Sequence, residues 1–330
     1  MYLVFRSQNA AFLEQCRIDG TPADQCSLTD KLLHDFSTVH FGWMLAVVAA
    51  FTLSNVSRAL RWQMLLEPMG YRVRFDNAFL TILLGYFANL GFPRMGEVVR
   101  AGSLARYERL PLEKVVGTLV MDRLMDVVCL ALVVGLAFLM EGDTLLRFIS
   151  QTQTANAGTN DTPLWQSPWV LVLLTLFAAG ALAAFFLRQK LMEVALVQKV
   201  IGMLQGFWDG LRSILQLKNP WLFILYSVGI WLMFYLQCVF GLLAFPPTAQ
   251  LGGSAALMIF VFGTLGFVIP SPGGMGTYHA LCIAALALYG ISGSDAFSYA
   301  NIAFFAIQIF YNLIAGSLAL LLLPVINKGK

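Results

Sequence analysis

The amino-acid sequence predicts an all-α integral membrane protein, a polytopic helical bundle that contains two re-entrant helical hairpins. The 330-residue chain is 58% hydrophobic and only 12% charged, whereas an ordinary soluble domain is about 25% charged. Several apolar stretches reach the roughly 20 residues that a helix needs to cross a bilayer. None alternates with the period of two that a transmembrane β-strand requires. Such a chain cannot hide its apolar side chains in a soluble globule of this size, which excludes soluble enzymes and nucleic-acid-binding proteins.

Uninterrupted apolar stretches predict five membrane-spanning helices. They occupy residues 40–62, 115–140, 169–187, 221–245 and 300–324. We assign the polar residues 1–39 to the external side, residues 40–324 to a single transmembrane domain and residues 325–330 to a cytoplasmic tail. Within the domain, residues 141–168 are predicted to form an external loop. Residues 191–217 are amphipathic and are predicted to lie along the cytoplasmic surface of the membrane.

Two further apolar regions, residues 77–110 and 253–290, are interrupted by Pro and Gly. Pro removes a helix donor and Gly permits positive φ, so a helix stops at such a break. Each region is therefore predicted to form two short helices around its break. The residues of the two breaks are Pro93 and Gly96 in the first region, and Pro272, Gly273, Gly274 and Gly276 in the second.

The distribution of Lys and Arg predicts the orientation of the chain. If residues 63–114, 188–220 and 325–330 face the cytoplasm, most of the 21 Lys and Arg residues lie on that side. The opposite side then holds Arg6, Arg17, Lys31 and Arg147. The prediction is a multi-pass protein of the cytoplasmic (inner) membrane with a cytoplasmic C-terminus.

This orientation makes both broken regions enter and leave the membrane on the same side. Region 77–110 then dips into the membrane from the cytoplasm, and region 253–290 dips from the outside. Both halves read as a span, a re-entrant pair and a span, which is typical of an inverted repeat. Interrupted segments at matching positions of two halves are a sequence indication of a transport site. The alternative is a chance similarity between two short Pro/Gly breaks.

The first break carries charged side chains that are candidates for binding an anion. Arg94 and Arg100 have guanidinium groups whose geometry matches phosphate oxygens. Glu97 lies three residues before Arg100 and shares its helix face. Charges at membrane depth are costly and are functional candidates by default. The alternative is that these residues anchor the chain at the level of the headgroups.

A second charged cluster, Asp122, Arg123 and Asp126, lies near the cytoplasmic end of a predicted span. We expect an ion-pair network with the first break, which acts either as a gate or as a clamp on the hairpin. The clamp is the favoured reading. Arg58 and Arg61 end the first span, where they either snorkel to the interface or contact a headgroup.

Several common catalytic and nucleotide-binding motifs are absent from the sequence. There is no P-loop motif, no H-E-x-x-H and no G-x-S-x-G, and the chain has three His in total. No catalytic residue, metal site or cofactor is therefore predicted. His279 is expected to be a core residue. A disulfide between Cys16 and Cys26 is an open alternative that requires an oxidising compartment.

Four elements occur in order: Arg58-x-x-Arg61-Trp62, Pro93-Arg94-Met95-Gly96-Glu97-x-x-Arg100, Asp122-Arg123-x-x-Asp126 and Pro272-Gly273-Gly274-x-Gly276. Over about residues 40–324 the chain thereby resembles the lysylphosphatidylglycerol synthase transmembrane region, or flippase-like domain, family. Asp122 stands where the family has Glu. The family usually opens with an extra transmembrane helix, of which Met1–Phe5 resembles the last turn. The aminoacyl-transferase domain of the full-length synthases is not expected here, because the chain ends at Lys330.

The resemblance implies a translocase for a lipid or lipid-linked headgroup. Its partners would be membrane lipids, namely an anionic phospholipid or a polyprenyl-phosphate-linked headgroup, with a separate lipid-modifying enzyme and a second copy of the chain as further candidates. We expect Arg94, Arg100, Arg58, Arg61 and Asn89 to bind the substrate. Two alternatives are a membrane transferase that uses a lipid-linked donor, with Asp143 or Asp161 as base, and a non-transporting lipid-binding partner of a separate synthase.

Overall fold

The computed structural model describes residues 26–91, 95–156, 217–269, 271–291 and 293–328, with a few isolated positions before residue 17. For residues 145–156 it describes the backbone alone. The chain divides into two compact units, Met1–Met140 with Leu217–Lys330, and Glu141–Gln216. The fold below is that of the first unit. In the second unit, residues 141–156 are helical.

All elements in the described residues are helical. In chain order they are α1 Leu28–Ser37, α2 Phe41–Leu66, α3 Phe75–Gly91, α4 Met95–Glu108, α5 Leu112–Asn156, α6 Pro220–Ala244, α7 Gly253–Val268, α8 Thr277–Ala287, α9 Gly293–Phe304 and α10 Asn312–Ile326. A π-helical turn, Phe305–Tyr311, joins α9 to α10. Short 3₁₀ turns occupy Glu67–Met69, Pro246–Thr248 and Pro272–Gly274.

Four of the described helical stretches are long and apolar enough to cross a membrane, namely Phe41–Met69, Leu112–Thr144, Pro220–Ala244 and Gly293–Ile326. They contain the predicted spans 40–62, 115–140, 221–245 and 300–324 almost completely, which confirms the all-α membrane class. The remaining predicted span, 169–187, and nearly all of the predicted amphipathic helix 191–217 lie outside the described residues.

Two boundaries differ from the prediction. The predicted loop after residue 140 is wrong over residues 141–156, because α5 resumes after Glu141, whose φ of −127° and ψ of 22° interrupt the helix. The last spanning stretch begins at Gly293 instead of residue 300. The polar residues of 141–156, which suggested a loop, are accommodated in a helix.

The first unit is held together by helices packed lengthwise. α6 packs along α2, α10 packs along α3, and α3 also contacts α2. One buried cluster, including Trp62, Leu66, Ile82 and Leu104, joins α2, α3 and α4. Another, including Leu242, Ile259 and Tyr299, joins α6, α7 and α9. These contacts bring α2, α3, α4 and α5 around one polar interior.

The two broken regions each form two helices that pack on one another, α3 with α4 and α7 with α8. The α3–α4 contact is backbone to backbone, because a Cβ on Gly96 would lie 2.2 Å from the carbonyl oxygen of Gly85. In the second break Gly273, Gly274 and Gly276 have φ of 58°, 78° and 91°, values that favour glycine. The predicted helix–break–helix pattern is therefore present in both regions.

The helix α1 is attached to the bundle by polar contacts. Lys31 Nζ lies 3.0 Å from Asp35 Oδ2 and 2.8 Å from Asp295 Oδ1, and the Ser298 hydroxyl donates to Asp35 at 2.5 Å. Burial alone lowers the pKa of Lys31, but the hydrogen bonds and charges of Asp295 and Asp35 outweigh it and raise the pKa. Lys31 therefore stays charged at neutral pH. A disulfide joins Cys16 to Cys26, which answers the question that the sequence left open.

Candidate functional site

The interior between α2 and α5 contains a buried cluster of charges, centred on Arg61 and Asp122. Both side chains are fully buried. Arg61 Nε donates to Asp122 Oδ1 at 2.9 Å, and Nη2 donates to Asp122 Oδ1 at 2.5 Å and to Asp126 Oδ1 at 2.7 Å. Nη1 donates to the Ser227 hydroxyl of α6 at 3.3 Å. Each nitrogen of this guanidinium group has a partner, so Arg61 has a structural role.

Arg58 joins the same carboxylates from one turn earlier on α2. Its Nη1 donates to Asp126 Oδ2 at 2.7 Å and lies 3.4 Å from Asp122 Oδ2. The side chain is 4% exposed. The reading that Arg58 and Arg61 snorkel to the interface therefore does not hold, because the carboxylates of α5 pair with them inside the bundle.

Arg100 of α4 is held differently from the other two arginines. It is 4% exposed, and its Nη1 lies 3.3 Å from Asp122 Oδ2. Its Cζ lies 3.9 Å from the ring centroid of Trp62, well within the range of a cation–π contact. Among the described residues, Nε and Nη2 of Arg100 have no hydrogen-bond partner. Buried guanidinium nitrogens without partners are costly. Both nitrogens are themselves buried, so an anion reaches them only if the side chains around the cavity move.

The buried cluster carries a charge in excess. Within the described part of the chain, three guanidinium groups (Arg58, Arg61 and Arg100) contact two carboxylates, Asp122 and Asp126. With ordinary ionisation the cluster has one positive charge without a partner. A low-polarity interior penalises such a charge strongly unless an anion compensates it.

A more exposed ion pair lies beside the buried cluster. Arg123 Nε lies 2.7 Å from Glu97 Oε1, and Arg123 Nη1 lies 3.6 Å from Asp126 Oδ2. The side chains of Arg123 and Glu97 are 44% and 46% exposed. The structure thus joins the charged residues of α4 to those of α5 by an ion pair, as the sequence predicted.

A small cavity opens next to Arg100. It is lined by Ile82, Gly85, Tyr86, Asn89, Gly96, Glu97, Arg100 and Arg123. Asn89 Oδ1 accepts a hydrogen bond from the Gly96 backbone N–H at 2.8 Å. This N–H, at the start of α4, therefore already has an acceptor. The cavity combines a guanidinium group, an amide and a half-exposed ion pair, which is a combination suited to an anionic group.

The remaining candidate residues either do not line this cavity or are not among those that the structure describes. Pro93 and Arg94 lie outside the described residues, as does Asp161. The second break contacts α3, because its 3₁₀ turn Pro272–Gly274 packs against that helix. His279 is fully buried, and its Nδ1 accepts from the Gly276 N–H at 3.4 Å, as expected for a core residue.

Sequence reasoning missed several residues that shape the site. The motif Arg58-x-x-Arg61-Trp62 includes Trp62 but does not indicate its contact with Arg100. Tyr86 and Gly85, which line the cavity, belong to no motif. The adjacency of Trp62 to Arg61 was the available signal. Tyr86 carried none, because an aromatic residue in an apolar helix is ordinary.

A buried charge cluster beside a cavity, inside a bundle of long apolar helices, defines a multi-pass α-helical membrane protein with a polar interior site. The chain belongs to the lysylphosphatidylglycerol synthase TM region family, whose model matches residues 28–316. It is also similar to a UPF0104 membrane protein of Methanocaldococcus jannaschii, with 35% identity over 86 residues. That match covers 24% of this chain and 26% of the relative, so the chain aligns with about a quarter of that protein's length. No solved structure matches the chain.

Proposed function

We propose that this protein translocates a lipid whose headgroup is anionic, and that the headgroup binds in the cavity beside Arg100. The candidate substrates are an anionic phospholipid or a polyprenyl-phosphate-linked headgroup, both of which present phosphate oxygens. The protein acts as a carrier and not as an enzyme. The family membership and the four apolar helices support a location in the membrane.

The observation that carries this proposal is the state of the Arg100 guanidinium group. It is buried, it lines the cavity, and two of its nitrogens have no partner among the described residues. Charge-assisted hydrogen bonds from guanidinium to phosphate are strong and often bidentate. A phosphate that enters as the cavity widens would supply both missing acceptors and compensate the excess charge.

The other charged residues divide into two roles in this proposal. Arg61, Arg58, Asp122 and Asp126 hold α2 and α5 together and fix the position of Asp122. They lie about two to four helical turns from the nearer end of their spanning stretches, at membrane depth. The half-exposed pair Glu97–Arg123 lies at the cavity and would open to admit a headgroup.

The proposed transport path leads from the cavity, which α3, α4 and α5 line, toward the helix pair α7–α8. We propose that the pairs α3–α4 and α7–α8 are each a re-entrant hairpin and that the two are related as an inverted repeat. The 3₁₀ turn Pro272–Gly274 packs against α3, which supports this because α3 leads into the first break. In inverted-repeat transporters, substrate sites lie at such interfaces of interrupted helices.

Lipid binding tests the proposal. The protein is purified in detergent and incubated with equal amounts of phosphatidylglycerol and phosphatidylethanolamine, and bound lipid is measured by native mass spectrometry. Wild type is expected to bind phosphatidylglycerol more tightly than phosphatidylethanolamine. In Arg100→Gln the ratio of the two affinities is expected to fall by about tenfold or more, because a hydrogen bond to a charged group contributes about 1.5–3 kcal/mol. Arg106→Gln, an exposed position on the same helix, is the matched control and should bind as wild type does.

Two further measurements distinguish a lipid phosphate from free phosphate, and a translocase from a protein that only binds lipid. Competition by inorganic phosphate at equal concentration would assign the cavity to a soluble anion instead of a lipid. Transfer of fluorescent phosphatidylglycerol between leaflets of vesicles containing the protein, followed by dithionite quenching, tests movement. Selective binding without transfer would favour a lipid-binding partner of a separate synthase. Equal binding of both lipids by wild type would overturn the proposal.

The proposed orientation gives a separate prediction. The Lys and Arg distribution and the Cys16–Cys26 disulfide, which requires an oxidising environment, support an external N-terminal segment and a cytoplasmic C-terminus. In a bacterial inner membrane, green fluorescent protein fused after Lys330 is expected to fluoresce, and alkaline phosphatase at the same position to be inactive. The reverse pattern would contradict the orientation.

A further inference from the structure

We propose that Trp62 is a positioning residue that keeps the Arg100 guanidinium group charged, buried and free to donate to a bound headgroup. This inference rests on the proposed function, because it concerns how the same cavity recognises an anion. It assigns a role to a side chain that neither lines the cavity nor carries a charge.

Trp62 is fixed in place by its own contacts. It is fully buried on α2, and its indole N–H donates to the Thr118 hydroxyl of α5 at 3.0 Å. Thr118 in turn donates to the Val115 carbonyl at 2.8 Å. The indole ring is therefore oriented by α5 while its face is presented to α4.

The Trp62 ring face stabilises the charge of Arg100, as the Asp122 carboxylate stabilises that of Arg61. Arg61 is satisfied by short hydrogen bonds to Asp122, at 2.5 and 2.9 Å. Arg100 reaches the other oxygen of Asp122 at only 3.3 Å, and its Cζ lies 3.9 Å from the Trp62 ring centroid. A cation–π contact attracts the charge through the plane of the guanidinium and uses none of its N–H donors.

This difference distinguishes Arg100 from Arg61. Arg58 also has one buried nitrogen without a partner among the described residues, its Nε, but Arg58 does not line the cavity. A carboxylate at the position of the indole would pair with Arg100 and occupy its N–H groups. An aliphatic residue there would leave the cation held by Asp122 alone, and the side chain would turn toward that carboxylate. The indole avoids both outcomes, and Nε and Nη2 remain without partners in the described structure.

The test is a graded weakening of the cation–π contact in the full-length protein. Nonsense suppression introduces mono-, di- and trifluorotryptophan at position 62, which reduces the negative potential of the ring face with little change of shape. Phosphatidylglycerol affinity, measured by native mass spectrometry, is expected to fall with each added fluorine, to about tenfold at the end of the series given the usual strength of this contact. Phosphatidylethanolamine binding should not change.

Substitutions by natural amino acids complement the fluorinated series. Trp62→Phe keeps a ring face and should retain part of the selectivity, whereas Trp62→Leu should lose most of it. Trp231→Leu removes another buried indole, one that packs on Phe234 and Phe260, and is the control for loss of packing. It is expected to reduce thermal stability but not selectivity.

The outcomes separate the two proposals. If wild type shows no preference for phosphatidylglycerol, the proposed function fails. If wild type shows the preference and the fluorinated series and Trp62→Leu keep it unchanged or strengthen it, the role of Trp62 is overturned while the proposed function stands. A fall in selectivity along the series, with the melting temperature unchanged, supports the inference.

Discussion

Replacing Asp122 by Asn is expected to destabilise the protein by about 3–5 kcal/mol, the usual cost of removing one partner from a buried ion pair. Asp122 contacts Arg58, Arg61 and Arg100 and is itself fully buried. In the variant Asp126 would be the remaining carboxylate of the buried cluster and would pair with Arg58 and Arg61. Arg100 would lose its carboxylate partner, and the cluster would have two positive charges in excess. Thermal unfolding in detergent, followed by size-exclusion chromatography after heating, measures the loss.

Glu97→Gln is the matched control for this experiment. It also removes a carboxylate from an arginine pair, but both side chains are close to half exposed. Exposed pairs contribute roughly 0–1 kcal/mol, so the melting temperature should change little. Equal effects of the two substitutions would show that burial of the cluster does not set its energetics.

A double variant tests the charge excess directly. Arg100→Gln added to Asp122→Asn removes one of the uncompensated charges, so it should restore part of the lost stability. Additivity of the two single effects, with no recovery, would contradict the coupling inferred from the 3.3 Å contact.

Gly96→Ala is expected to separate the helices α3 and α4. A Cβ at this position would lie 2.2 Å from the Gly85 carbonyl oxygen and 2.7 Å from the Asn89 side chain. Backbone atoms cannot move aside as a flexible side chain can, and overpacking of this kind typically costs about 1–3 kcal/mol. Because Gly85, Asn89 and Gly96 line the cavity, lipid selectivity should be lost together with stability.

Gly102→Ala on the same helix provides the comparison. No atom lies within 4 Å of a Cβ built at that position. Alanine has a helix propensity about 1 kcal/mol better than glycine, so this variant should be as stable as wild type or more so. Thermal unfolding and lipid binding of both variants measure the difference, and a stable, selective Gly96→Ala protein would contradict the close helix contact.

Much of the architecture is predictable from the sequence. Hydropathy is a local property, and a stretch of about 20 apolar residues must be helical in a bilayer because its backbone groups have no other partners. The helix breaks near Pro93 and Pro272 were equally predictable, since Pro and Gly act on the residues beside them. The boundary at Glu141 was not, because polar residues in a helix look the same in sequence as polar residues in a loop.

The charged residues illustrate the limit of this reasoning. Their rarity in apolar segments singled out Arg58, Arg61, Arg100, Asp122 and Asp126, and the motifs they form predicted the family that the model match confirms. Their individual roles depend on pairing between helices. The sequence separation from Asp122 is 64 residues for Arg58, 61 for Arg61 and 22 for Arg100.

Composition and local pattern are enough to define a helical membrane protein of this family with charges in its interior. The distinction between a satisfied Arg61 and a partly unpaired Arg100 came from the packing of α2, α4 and α5. That packing sets which face of each helix points inward, and so which donors find acceptors. Hydropathy does not fix that rotation, since α2 and α5 are apolar on most of their surface and α4 carries charged residues on more than one face.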